Sequence, residues 1–285
     1  MATKQQLTKQ QPTKDKEIVK KPVTTVSASV DFSKDAGAGQ ESMGKEDYSV
    51  PRLIILQALS PQVTKGEDAF IKGAAAGNFC IAATGEVFDE EEGVKIIPVS
   101  YRRTYIEFKA RSTGGGFVRD HGPGSDIINR CNRNEKTGAN ELPNGNIVNT
   151  VSEYFIFLLM PDGTHRPMML SMTGAQLKHA RKWNTAMNQL RISDGKGGSF
   201  NPAMFYGVYL AKTMPESNDQ GNWFGWDIKQ EGDVTTIPNG IEIYKQAKEF
   251  SSQVKAGAVK VQEPSADDPH SDDAALGNAN PDGKF

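Results

Sequence analysis

The sequence predicts a mostly β body, a small antiparallel barrel of five to six strands with one or two helices, set between disordered ends. Three observations carry this. Short runs of β-branched and aromatic residues recur between residues 48 and 258, each closed by a Gly, Pro or Asn turn signal. A helical apolar period falls between two of the hairpins these runs form. Residues 1–47, a basic and polar arm, and 259–285, an acidic tail, lack the apolar content that a core needs.

Taken in order, VPRLIILQALSPQV (50–63) is apolar and closes at Ser60-Pro61; at that length it reads as a short helix or a strand. A strand is expected at 78–84, an acidic turn at 85–93, and a long strand from 94 to about 110, rich in Ile, Val, Tyr and Phe. Pro98 marks a bulge or an edge within it. Residues 112–149 are Gly, Asn, Pro and charge, a long excursion with little regular structure, and loops of that length are functional or disordered. SEYFIFLLM (152–160) and THRPMMLSM (164–172) flank Pro161-Asp162-Gly163 and predict a hairpin. Thr173-Gly174-Ala175-Gln176 reads as a capping-box helix start. Behind it Leu177, Ala180, Trp183, Met187 and Leu190 share one helical face, while Lys178, Arg181, Lys182 and Thr185 share another. MFYGVYLAKT (204–213) and NWFGWDIKQ (222–230) predict a second hairpin with a polar turn at 215–221, and an amphipathic helix over about 240–255 closes the body. A helix between the third and fourth of five strands, with one strand added, is the order of an OB-type barrel. A generic α+β domain with a curled sheet fits almost as well.

Charge narrows the function. The chain is −2 overall. Residues 1–21 carry six lysines against Asp15 and Glu17, a net +4, and residues 262–285 carry six acids against Lys284, a net −5. The body is therefore near neutral, which excludes a bulk polyanion binder and leaves a local patch. Cys80 and Cys131 form no CxxC and have no nearby His, against a zinc site or a disulfide framework; one disulfide stays open beside two reduced thiols. No apolar run approaches ~18 residues and no secretory segment is present, so neither export nor a membrane span is expected, and the cytoplasm is the expected compartment. GxSxG, Walker and HExxH motifs are absent, Asp120-His121 is a lone pair in a loop, and Asp89–Glu92 reads as a solvated turn. No enzyme activity, metal or cofactor is expected.

The segment SYRRTYIEFKARSTGGGFVRDHG (100–122) carries the strongest chemistry. On a strand, Tyr101, Arg103, Tyr105, Glu107 and Lys109 face one way, and Arg102, Thr104, Ile106, Phe108 and Ala110 the other. One face thus alternates rings and cations, and Arg111, Phe117 and Arg119 extend the patch. Single-stranded nucleic acid is held by this mix, cations for phosphates and flat rings for bases. The competing reading is a core of aromatics with solvated arginines at its rim. The helix adds Lys178, Arg181 and Lys182 without an acid, and Trp223, Phe224 and Trp226 crowd one strand, so that one ring should face out if the strand alternates. Trp183 is expected in the core.

The tail QEPSADDPHSDDAALGNANPDGKF ends at Phe285. It suits self-competition for a cationic groove, presentation of Asp267, Asp268, Asp272, Asp273 and Phe285 to a basic pocket on a partner, or solubility alone. With the tail, the strand order and Tyr101–Arg119 in place, the chain resembles the phage-type single-stranded DNA-binding proteins, OB-fold proteins with an acidic, Phe-ended tail. PRLIILQALSPQV, Thr84-Gly85-Glu86, IIPVSYRRTYIEF (96–108) and Gly115-Gly116-Phe117 also look like those of tailed-phage proteins of similar size. The resemblance covers residues 50–230 loosely, plus the tail. It implies sequence-nonspecific binding of single-stranded DNA in phage replication or recombination, and docking of phage or host replication and recombination proteins on the tail. The tail is less densely acidic than in that family, and the 112–149 loop is longer than a minimal barrel needs. Homo-oligomerisation stays open. The alternative is a phage virion structural or assembly protein with a β-rich body.

Overall fold

The structure, a computed structural model, describes residues 32–44, 47–218 and 221–262. The chain divides into two units, residues 1–41 and 42–285. The described part of the first is a 3-10 turn, Phe32–Asp35, followed by a turn closed by Ala38 N–H donating to Asp35 O at 3.0 Å. The second holds the strands and helices that follow.

Its main sheet is built on β4 (Val94–Phe108) and β8 (Ile147–Leu159), antiparallel from Ile96↔Leu158 to Phe108↔Ile147. β9 (His165–Thr173) lies on the far edge of β8, and β12 (Gly207–Asn218) on the far edge of β4, followed outward by β13 (Gly221–Asp233). Helix α1 (Leu177–Gln189) and a short pair, β10 (Ile192–Ser193) with β11 (Ser199–Phe200), fall between β9 and β12, and α2 (Gly240–Lys255) follows β13. If the five long strands are numbered in chain order, their order across the sheet is fifth, fourth, first, second, third, with the helix after the third. The expected mostly β, antiparallel architecture with two helices is therefore present.

The barrel is open. Among the described residues no ladder joins β9 to β13. The segment around β1 (Leu53–Ile55) stands in the gap. On one side Arg52 bridges Met169 of β9 in parallel, with Met169 N–H donating to Pro51 O at 2.9 Å. On the other, the Gln57 side chain takes both backbone groups of Phe224 in β13, at 3.1 and 2.8 Å. β1 pairs with β2 (Phe79–Ile81), and β2 with β3 (Glu86–Phe88).

Over the first half of β4 and the facing end of β8 both faces are covered, which is why Ile96–Val99 and Tyr154–Leu159 read as unbroken apolar runs rather than alternating ones. The inner face presents Ile96, Tyr154, Ile156, Leu158, Leu170 and Met172 to Leu53, Ile55, Phe79 and Ile81 of the small sheet and to Ala180, Trp183 and Met187 of α1. The outer face presents Ile97, Val99, Phe157 and Val208 to Ile243 and Ala247 of α2. Further along, Phe155 and Met169 meet Val50, Phe250, Val254, Val259 and Val261. Each fully buried Ile, Leu or Phe here contributes roughly 1.5–3 kcal/mol.

Several expectations shift. Only Leu53–Ile55 of the 50–63 run is strand, with single bridges at Val50 and Arg52 before it and turns at 58–59 and 61–63 after it. Thr173 makes no capping bond, because it is still paired in β9, opposite Val151, where its Oγ1 donates to Thr150 O at 3.1 Å. The chain enters α1 through a 3-10 turn at Gly174–Gln176 instead. The 112–149 excursion is more structured than its composition suggests. It carries β5 (Phe117–Asp120), β6 (Asn132–Arg133), β7 (Asn140–Glu141) and a 3-10 turn at Ile127–Arg130, pinned by buried Ile127, Leu142 and Val148. Both cysteines are free thiols, and burial pushes Cys80 up to about 11.

Candidate nucleic-acid interface

The site begins with a bulge in β4. Along β8, Tyr154, Ile156 and Leu158 all point to the inner core. Their partners on β4 are Tyr101, Pro98 and Ile96. Three steps separate Pro98 from Tyr101 where a regular strand would have two, so Val99 and Ser100 together stand against Phe155. The extra residue reverses the alternation. Counted from Ile96 without it, Arg102 and Thr104 would face inward; with it, Tyr101, Arg103, Tyr105 and Glu107 do. The sequence placed Pro98 at a bulge or an edge, and the bulge is there.

On this inner row Tyr101 packs its ring 5.0 Å from Tyr154, which in turn lies 4.5 Å from Trp183 of α1. The Tyr154 hydroxyl donates to Asn184 Oδ1 at 2.9 Å. A chain of rings therefore runs from the core to Tyr101, which is 37% exposed. Arg103 is exposed and has no ion-pair or hydrogen-bond partner among the described residues. Tyr105 is half-buried against Ile127, Leu142 and Val148 from the excursion. Arg119, opposite Glu107 in β5, shares that face and is exposed, as is Lys109 at the strand end. Arg181 is exposed on α1.

Other predicted residues go elsewhere. Arg102 is on the outer face, its Nε 2.6 Å from Glu153 and its guanidinium 5.7 Å from the centre of the Phe155 ring. Glu153 is 1% exposed and also meets Arg52 at 3.7 Å, so Arg102 serves a buried ion-pair network. Asp120 continues that network, 3.4 Å from Arg102 and hydrogen-bonded to the Thr104 hydroxyl. Phe117 packs edge-on against Phe108 on the same outer side. Trp223 is buried, its indole N–H donating to Glu216 Oε2 at 2.9 Å; neither it nor Trp226 presents a face to solvent. Lys178 is held by Glu216 at 2.7 Å, while Lys182 is exposed. Arg111 lies in a 3-10 turn at Arg111–Thr113, its side chain outside the described ones. Asp267, Asp268, Asp272, Asp273 and Phe285 lie outside the described residues.

Two groups escaped the sequence reading. Glu107 accepts hydrogen bonds from Asn146 and from His121, the latter at 2.8 Å. Burial alone would raise its carboxyl; those bonds outweigh it and hold the group below its ordinary value. Glu216 behaves alike: burial raises it, and bonds from Lys178, His179 and Trp223 bring it down. A lone acid among several bases, as Glu107 is in 101–119, is the signal that would have flagged the first. Glu216 sits in the stretch read as a polar turn and gave none.

OB barrels bind oligonucleotides on the face of their second and third strands and on the loop after the first. Here the outer face of the corresponding strands, β8 and β9, lies under α2 and residues 259–261. The loop after the first long strand lies instead beside the inner row, where its Ile127 and Leu142 seat Tyr105. The family model of Pam3 phage gp34-like proteins matches residues 16–260. The chain belongs to that family. It is a phage protein with a mostly β fold. No curated protein and no solved structure matches it. Among the described residues, no helix is long and apolar enough to cross a membrane.

Proposed function

We propose that this phage protein binds single-stranded DNA without sequence preference, along the row Tyr101, Arg103, Tyr105 and Arg119, during phage DNA replication or recombination in the host cytoplasm. The observation that carries the reading is the bulge at Val99–Ser100. It turns two rings and an unpaired guanidinium to one accessible face, and Arg119 of β5 joins them there. Every base has a stackable face, so such a row is indifferent to sequence, while duplex bases are already stacked. The acidic tail competes with DNA for this face by mass action within one molecule and offers Phe285 to a replication or recombination partner.

The test is a gel shift with labelled single-stranded and duplex oligonucleotides across a salt titration. Preferential binding of the single strand, weakening as salt rises, is expected. Equal affinity for the duplex, or no binding at low salt, leaves the virion or assembly reading in its place. Removing residues 262–285 should tighten binding at low salt; unchanged affinity would reduce the tail to a solubility device.

A further inference from the structure

On the inner face of the sheet, Tyr101, Arg103, Tyr105 and Glu107 of β4 stand opposite Tyr154, Ser152, Thr150 and Val148 of β8. Tyr154, Ser152 and Val148 are buried, Ser152 with the Tyr101 hydroxyl 3.3 Å from its Oγ and Val148 in the cluster with Ile127 and Leu142. Thr150 is half-exposed, and its hydroxyl has no hydrogen-bond partner among the described residues. Next to it β9 ends at Thr173, opposite Val151, and the chain turns through Gly174–Gln176 into α1. A small, neutral, polar floor is thus left beside the two rings. The cations stand away from β8. Arg103 lies midway between Tyr101 and Tyr105, about 6.6–6.8 Å along the strand from each. Arg119 lies one strand further out, on β5. Both are exposed. Glu107 is the acid of these rows; it is buried, and its carboxylate oxygens are taken by Asn146 and His121.

We propose that Thr150 is the seat of one base of the bound strand. The strand runs along β4 with its phosphates toward Arg103 and Arg119, and a base turns over β8 onto Thr150, beside the Tyr105 ring. This rests on the single-strand reading above and adds to it the side on which the bases lie and a residue that sets their room. Guanidinium groups draw the phosphates to one side, and rings over a neutral floor suit the bases on the other. The Thr150 hydroxyl both donates and accepts, so it meets the edge of any base and keeps the seat indifferent to sequence.

Thr150→Leu fills the seat without adding charge. Its affinity for a labelled oligothymidine, read by anisotropy, should fall about tenfold, as for one lost base contact. Its affinity for an abasic strand of the same length, which keeps the phosphates and lacks the bases, should match the parent's, with the melting temperature unchanged. Arg103→Ala should weaken both strands. An equal loss on both strands in Thr150→Leu, or a loss on neither, overturns the proposal and leaves the single-strand reading standing. No binding of oligothymidine by the parent chain at low salt overturns both. The unaltered chain supplies a second measurement, independent of how the variant folds. An oligothymidine carrying 4-thiothymidine, irradiated in the complex, should cross-link through its base to Tyr101, Tyr105 or residues 147–152. Cross-links confined to β5 would place the bases on the cationic side and overturn the proposal.

Discussion

The two halves of β4 share a strand, yet their surroundings differ. Before the bulge, Val94, Ile96, Ile97 and Val99 are all buried, because α1 with the small sheet covers one face and α2 the other. After it, Tyr101 and Arg103 are exposed and Tyr105 half so, because the inner layer stops at Tyr154 and Trp183. β-propensity is alike in the two halves. Coverage by neighbouring layers leaves only the inner row of the second half at the surface, while Thr104, Ile106 and Phe108 on its other face stay buried.

The largest effect should come from the outer side of the second half. Glu153→Ala removes the buried carboxylate that Arg52 and Arg102 share and should cost about 3–5 kcal/mol in urea unfolding. DNA affinity per folded molecule should stay unchanged. Next, Tyr101→Ala should weaken oligonucleotide binding by ~1–3 kcal/mol in a fluorescence titration. A fall in melting temperature matching the loss of affinity would make the ring core and erase the contrast between the halves. Arg102 and Arg103 sharpen the contrast, being neighbours on opposite faces. Arg103→Ala should lower the slope of log affinity against log salt by roughly 0.7 with stability intact, and Arg102→Ala should lower stability with the slope intact.

The smallest effect concerns Glu107. Its folded-state carboxyl titrates below its ordinary value. The stability it contributes is present above the unfolded value and is lost as pH falls through the folded one. Urea midpoints measured downward from pH 5 should therefore fall less steeply in Glu107→Gln than in the parent; identical slopes would mean that the Asn146 and His121 bonds do not favour the ionised form.

Much of this was legible in the sequence, and the reason lies in periodicity. Leu177, Ala180, Trp183 and Met187 fall where a helical stripe must, and all four are buried. The hairpin at Pro161–Gly163 and the helix at 240–255 were marked by turn chemistry and by amphipathic spacing. The facing of Tyr101, Arg103 and Tyr105 was also readable, since alternation within a short stretch survives a bulge upstream. What alternation could not give was the partner of each charge. Arg102 and Arg103 look alike in sequence; only the register Arg102↔Glu153 across β8 separates a buried ion pair from a free cation. Trp223 failed for the same reason, its acceptor Glu216 being cross-strand rather than local.

One contact has a mechanical consequence. Val50 and Val261 form a parallel bridge, with Val50 N–H donating to Lys260 O at 2.9 Å and Gln262 N–H to Val50 O at 3.2 Å. Arg52 Nε adds a third bond, to Gln262 O at 3.0 Å. At this bridge the chain enters the body in one strand and leaves it in the other, both running the same way. Tension applied to the two ends then pulls the strands along their length in opposite directions, loading the bonds together in shear rather than peeling them one at a time. A pull on both arms meets this clasp and its apolar backing of Phe155, Phe250 and Val254 before it reaches the sheet.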